Sequence, residues 1–93
     1  MSLPLIHIDD AKQFSRYADS LATGNEIEAY GFVTDIMIAR VRKGEPAFLC
    51  TNNGSPVVRV EILAVTPDPD EFGMVTVRVK RHYWPWEEKN DAE

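Results

Sequence analysis

The sequence predicts an α+β domain: one strand and one helix, then a four- to five-stranded, mainly antiparallel sheet that lies open or curls into a small open barrel. Three observations carry this expectation. Apolar residues recur at three- and four-residue steps between Ala11 and Leu21, two later segments alternate with a period of two, and Gly, Asn and Pro punctuate the gaps between them.

Leu3 to Ile8 is a short apolar run interrupted by Pro4 and His7, which suits an edge strand because proline cannot donate to a ladder. Asp9 and Asp10 follow, and a carboxylate there can accept the free amides of a helix's first turn. Ala11, Phe14, Tyr17, Ala18 and Leu21 form the inner stripe of that helix, with Lys12, Gln13, Arg16, Asp19 and Ser20 outward. Thr23-Gly24-Asn25 supplies its left-handed stop.

From Glu26 the period shifts towards two, with Ile27, Tyr30, Phe32 and Val33 typical of strands. Asp35 to Lys43 fits two patterns. Ile36, Ile38 and Val41 suit a strand, whereas Phe32, Ile36, Ala39 and Lys43 fall on one side of a helix; the strand is the favoured expectation. Lys43 to Pro46 reads as a turn, Ala47 to Thr51 as a short strand, and Asn52 to Pro56 as a second turn, since Asn-Gly accepts positive φ at both positions.

Val57 to Val65 places Val58, Val60, Ile62 and Ala64 on one face and Arg59 and Glu61 on the other. Thr66 to Gly73, with two prolines and three acids, reads as an exposed loop. Met74 to Trp84 alternates again: Val75, Val77 and Val79 face one way, Thr76, Arg78, Lys80, His82 and Trp84 the other, and Pro85 ends the pairing. Residues 1–86 form the expected single domain, and the charged segment 87–93 a disordered tail.

Composition bounds the function classes. A chain of 93 residues supports one core, and 44% apolar against 27% charged residues is the balance of a globular domain rather than a disordered one. Cys50 is the single cysteine, so no internal disulfide forms; His7 and His82 have no ligand partner at a metal spacing, and the five glycines are isolated rather than grouped in a phosphate-binding motif. No metal or cofactor is expected. The amino terminus shows no basic region leading into an apolar run, and no stretch approaches the ~18 apolar residues of a membrane span, so the expected location is cytoplasmic, away from any membrane. Asn53-Gly54-Ser55 matches a glycosylation acceptor by letter but reads better as a turn.

Catalysis finds little support. Cys50, with His7 or His82 as base, is the main nucleophile candidate, and in an apolar strand it packs as a small hydrophobe. Asp9-Asp10 is explained by helix capping, the acids of 68–71 lack the ligand spacing of a calcium loop, and Glu87-Glu88 lies in the tail. The chain is therefore read as a non-enzyme.

One constellation carries functional content. Arg78, Lys80, His82 and Trp84 alternate on the outward face of the last strand, with Arg59 beside them on the preceding strand and Arg40 and Arg42 as candidates further along the sheet. Long cationic stems covering an exposed sheet face are also common without a binding role. As a binding surface, this face suits an acidic protein partner, with Tyr83, Trp84 and Trp86 as anchors, and the expectation is a small accessory or inhibitory protein. Single-stranded nucleic acid is the alternative, since phosphates pair with cations while bases stack on rings. A net charge of −5 and a pI near 4.9 disfavour it. A homodimer is compatible with the pattern, and the acidic tail is a candidate cover for Arg78 and Lys80.

The run Arg40-Val41-Arg42-Lys43-Gly44-Glu45-Pro46-Ala47-Phe48-Leu49-Cys50-Thr51-Asn52-Asn53-Gly54-Ser55-Pro56-Val57-Val58 resembles the hairpin of the Phd/YefM antitoxin family, in which a helix ends at Gly-Glu and leads into strands joined by an Asn-Gly turn. The resemblance covers about a fifth of the chain. It implies a helix over 35–43, dimeric operator binding and toxin neutralisation. The chain departs from that family on both sides of the run: a separate strand and helix precede it, and a strand-like segment follows where the family has a helical toxin-binding region. Membership is not assigned.

Overall fold

A computed structural model describes residues 3–53 and 57–82. Along the chain lie β1 (Leu5–Ile8), α1 (Ala11–Ala22), β2 (Ile27–Phe32), β3 (Pro46–Thr51), β4 (Val57–Pro67) and β5 (Met74–Arg81). The strands close into a barrel in the order β1-β2-β5-β4-β3. Every pairing is antiparallel except that of β1 with β3, which seals the barrel with Leu5, Ile6, His7 and Ile8 beside Phe48, Leu49, Cys50 and Thr51. The expected α+β class with a small barrel is the observed one, closed rather than open.

Closure corrects the reading of the first strand. β1 is paired on both sides and is not an edge. Pro4 is tolerated because it precedes the strand, where its carbonyl accepts the Phe48 amide at 3.0 Å and its missing N–H is not needed.

The helix forms where the pattern places it. Asp10 is its N-cap, accepting from the Lys12 amide at 2.9 Å and the Gln13 amide at 3.4 Å, and Gly24 at φ +88° follows its last turn. Phe14 and Leu21 are buried, with Tyr17 and Ala18 packed beside them, so α1 closes the barrel against β1, β2, β3 and β5. The interior is filled by Ile6, Ile8, Ala47, Leu49, Val60, Ile62, Val75, Val77 and Val79. On β2 the inward positions are small, Ala29 and Gly31, because β1 passes close by: a Cβ on Gly31 would sit 2.8 Å from the His7 carbonyl oxygen.

The favoured strand over 35–43 does not form, and neither does the helix implied by the antitoxin resemblance. The chain turns from Thr34 to Met37, where the Thr34 carbonyl accepts the Met37 and Ile38 amides, and Ile38–Arg40 makes a single 3-10 turn. The physical reason is the barrel itself: β1 and β5 occupy both sides of β2, so the chain leaving β2 meets no open edge and must cross to β3 on the far side of β1. Arg40 and Arg42 therefore lie in this crossover and do not extend the sheet face.

The period of β4 also breaks. A bulge between Ile62 and Ala64 inserts Leu63, so Val60 and Ile62 point into the core while Ala64 is exposed, contrary to its expected place on the same face. β4 runs on through Pro67, which shortens the expected loop to 68–73. β5 ends at Arg81, before Trp84 and Pro85. The 87–93 tail, the anchors Tyr83, Trp84 and Trp86, and the Gly54-Ser55-Pro56 part of the second turn lie outside the described residues. Among the described residues, no helix is long and apolar enough to cross a membrane.

Candidate partner-binding face

The alternation of β5 buries Val75, Val77 and Val79 and turns Arg78 and Lys80 outward, as the sequence requires. The antiparallel register then gives each of these cations an acidic neighbour. Lys80 lies opposite Glu61, with Nζ 3.9 Å from its carboxylate, and Arg78 lies opposite Glu28 while its Nε donates to Glu26 at 3.1 Å. About half of each cationic side chain is exposed, so these pairs are solvated, yet they neutralise the middle of the expected cationic stripe.

Arg59 and His82 meet at the other end of the strand, where the His82 amide donates to the Arg59 carbonyl at 3.1 Å. They join Arg81 on the rim of a groove of about 310 Å³ whose floor is Ala18, Leu21 and Ala22 of α1 with Val57 and Val58 of β4. Val57 is half exposed there. The sequence places Arg59 and His82 on one face; Arg81 and the helix contribution come from the fold.

A second concave region lies on the outer face of β1, β2 and the start of β5. It measures about 580 Å³ and is lined by His7, Asp9, Tyr30, Gly31, Phe32, Asn52, Glu71 and Met74. Tyr30 and Phe32 are 44% and 43% exposed, which makes them its two open rings. A signal for them exists in the sequence: they share the parity of charged Glu28, whereas Ala29, Gly31 and Val33 share the other. Their size works against that signal, because large aromatics more often face a core.

Electrostatics fix the Tyr30 ring. Its hydroxyl donates to Asp68 Oδ2 at 2.6 Å, and Asp68 also accepts the Asp70 and Glu71 amides. The bond to Asp68, reinforced by partial desolvation and the Asp68 and Glu71 charges, pushes the phenol pKa up to about 12. The same bond, with the two backbone amides, holds the Asp68 carboxyl below its ordinary range.

Beside this region His7 and Cys50 are register partners, with Nδ1 and Sγ 3.4 Å apart. The thiol is fully buried, also lies 3.8 Å from the Ile6 carbonyl, and burial pushes its pKa up, which disfavours the thiolate. Among the described residues no three His, Cys, Asp or Glu side chains converge as a metal site would require.

No family model, curated protein or solved structure matches this chain.

Proposed function

We propose that this protein is a non-catalytic interaction domain that binds an acidic, apolar-anchored segment of a protein partner. The observation that carries the reading is the groove between α1 and the β4–β5 end, with an accessible apolar floor of Ala18, Ala22, Val57 and Val58 beneath a rim of Arg59, Arg81 and His82. An apolar floor rewards burial of an anchor side chain, and the rim selects carboxylates around it.

Arg59, Arg81 and His82 already engage other groups within the chain, so binding is an exchange of partners in which the anchor supplies affinity and the charges supply specificity. Arg78 and Lys80 contribute at most weakly, because Glu26 and Glu61 already answer them. Tyr83, Trp84 and Trp86 come within four residues of His82 in sequence and are the aromatic candidates for the same interaction.

The test is affinity capture with the full chain as bait, repeated with Arg81→Glu and with Lys12→Glu on the outer side of α1. A partner lost with Arg81→Glu and retained with Lys12→Glu supports the reading. Retention by both variants sinks it. Binding of a single-stranded oligonucleotide that weakens steeply with salt, read through tryptophan fluorescence, would replace the protein partner with nucleic acid.

A further inference from the structure

We infer that the region around Tyr30 and Phe32 is a second, independent binding site, and that its occupant is a basic segment of a protein partner, two cationic side chains flanking an apolar one. The pairing register sets its layout. Met74 of β5, Phe32 of β2 and His7 of β1 are successive partners across the sheet, so their side chains form one outward row. Tyr30, two residues from Phe32 on the same face, widens the row into an aromatic floor.

Carboxylates stand at both ends. Asp9 follows the last residue of β1 and is held by the Asn52 amide group; Glu71 lies in the loop entering β5. β1 and β5 lie on either side of β2 and run parallel to each other, so Asp9, past the end of β1, and Glu71, before the start of β5, stand at diagonally opposite corners of the aromatic floor. An extended segment crossing the floor on that diagonal presents residues i, i+2 and i+4 on one face, so an apolar residue at i+2 lies on the rings while cationic residues at i and i+4 reach towards the acids. Guanidinium and ammonium groups are also attracted to the faces of Tyr30 and Phe32.

Charge complementarity decides the occupant. Among the described residues lining this site, His7 alone can carry positive charge, against Asp9 and Glu71, with Asp68 directly behind Tyr30. Glu71 forms no ion pair among the described residues, and its carboxylate needs no displacement before it takes a cation. The floor is firm, because Asp68 fixes the Tyr30 hydroxyl and the Phe32 ring lies over Gly73, where a Cβ would come within 2.7 Å of Cε1. The basic-rimmed groove lies at the far end of β5, roughly 23 Å along the strand from Met74, so the two sites accept partners of opposite charge without competing.

The experiment titrates the full chain with a terminally blocked heptapeptide of sequence Gly-Arg-Ser-Leu-Ser-Arg-Gly, with the analogue carrying glutamate in place of both arginines as control, following backbone amide NMR shifts. Shifts concentrated at His7, Tyr30, Phe32, Glu71 and Met74 are expected for the arginine peptide alone. Glu71→Gln and Phe32→Ala should each weaken binding about fivefold, whereas Asp19→Asn, an equal charge change on α1, should leave it unaltered. Equal loss with Asp19→Asn and Glu71→Gln would show attraction to net charge alone and overturn the site. Shifts confined to the Arg81 end would also overturn it, as would concentration-dependent self-association abolished by Glu71→Gln, which would make a second copy the occupant.

Discussion

His7 Nδ1 and Cys50 Sγ lie 3.4 Å apart on the parallel strands that close the barrel, and the sulfur has no exposed surface. Proximity to an imidazole alone would suggest an activated thiol. Burial acts against this, since it disfavours the thiolate and blocks approach of an electrophile. Cys50 in the native protein should therefore resist iodoacetamide near neutral pH and react at the rate of a free thiol once unfolded. Rapid native alkylation, followed by mass spectrometry, would contradict the buried arrangement and reopen thiol chemistry.

The Tyr30–Asp68 bond ties the β4–β5 loop to β2 and makes stability depend on pH at both extremes. The folded Asp68 carboxyl lies below its unfolded value, so its contribution is present above the usual carboxylate range and is lost as pH falls through the folded value. Tyr30 is raised, so its contribution is complete below about pH 10 and is lost as pH rises through about 12. Tyr30→Phe should flatten both dependences in thermal melts. In the parent chain the Tyr30 ring-carbon NMR signal should remain that of the protonated phenol at pH 10.

Three glycines should separate by what surrounds them when each is changed to alanine. Gly44, at φ +88° with open space around it, loses only backbone freedom to strain, about 1 kcal/mol. Gly73→Ala adds contact with the Phe32 ring and the Val33 carbonyl to a φ of +90° and should destabilise more. Gly31→Ala pushes β1 away from β2 at the barrel seam and should lose about 1–3 kcal/mol through overpacking. Urea denaturation gives the order directly, and an unfolding midpoint for Gly31→Ala equal to that of the parent would refute the close approach.

Removing the helix cap with Asp10→Ala should lower stability by about 1 kcal/mol, because the Lys12 and Gln13 amides lose their acceptor. Arg78→Ala should change it by less, about 0–1 kcal/mol, since its pair with Glu26 is half exposed. The reverse ranking in the same denaturation assay would mean that the β2–β5 ion pair matters more than its solvation allows.

Much of the fold is legible residue by residue. Asp10 before an apolar stripe at helical spacing, Gly24 after it, and the valines of β5 at alternate positions are local statements, and the structure follows each of them. Tyr30 and Phe32 are the opposite case: their parity with Glu28 was visible, but choosing the small residues for the interior requires knowing that β1 passes within reach of Gly31. The candidate cationic face was legible as a list of residues and not as a charge distribution, because Glu26 and Glu61 meet Arg78 and Lys80 only across strand pairings.

The α+β domain foreseen at the outset thus rested on spacing within single segments, where helical and strand periods, caps and turn residues act over a few positions. Closure of the barrel, the Leu63 bulge that turns Ala64 outward, the crossover at 33–45 and the two grooves of differing charge were settled by contacts between segments distant in the chain. Periodicity says which side of a strand is apolar. It carries no information about which strand lies alongside, and binding surfaces are assembled from that adjacency.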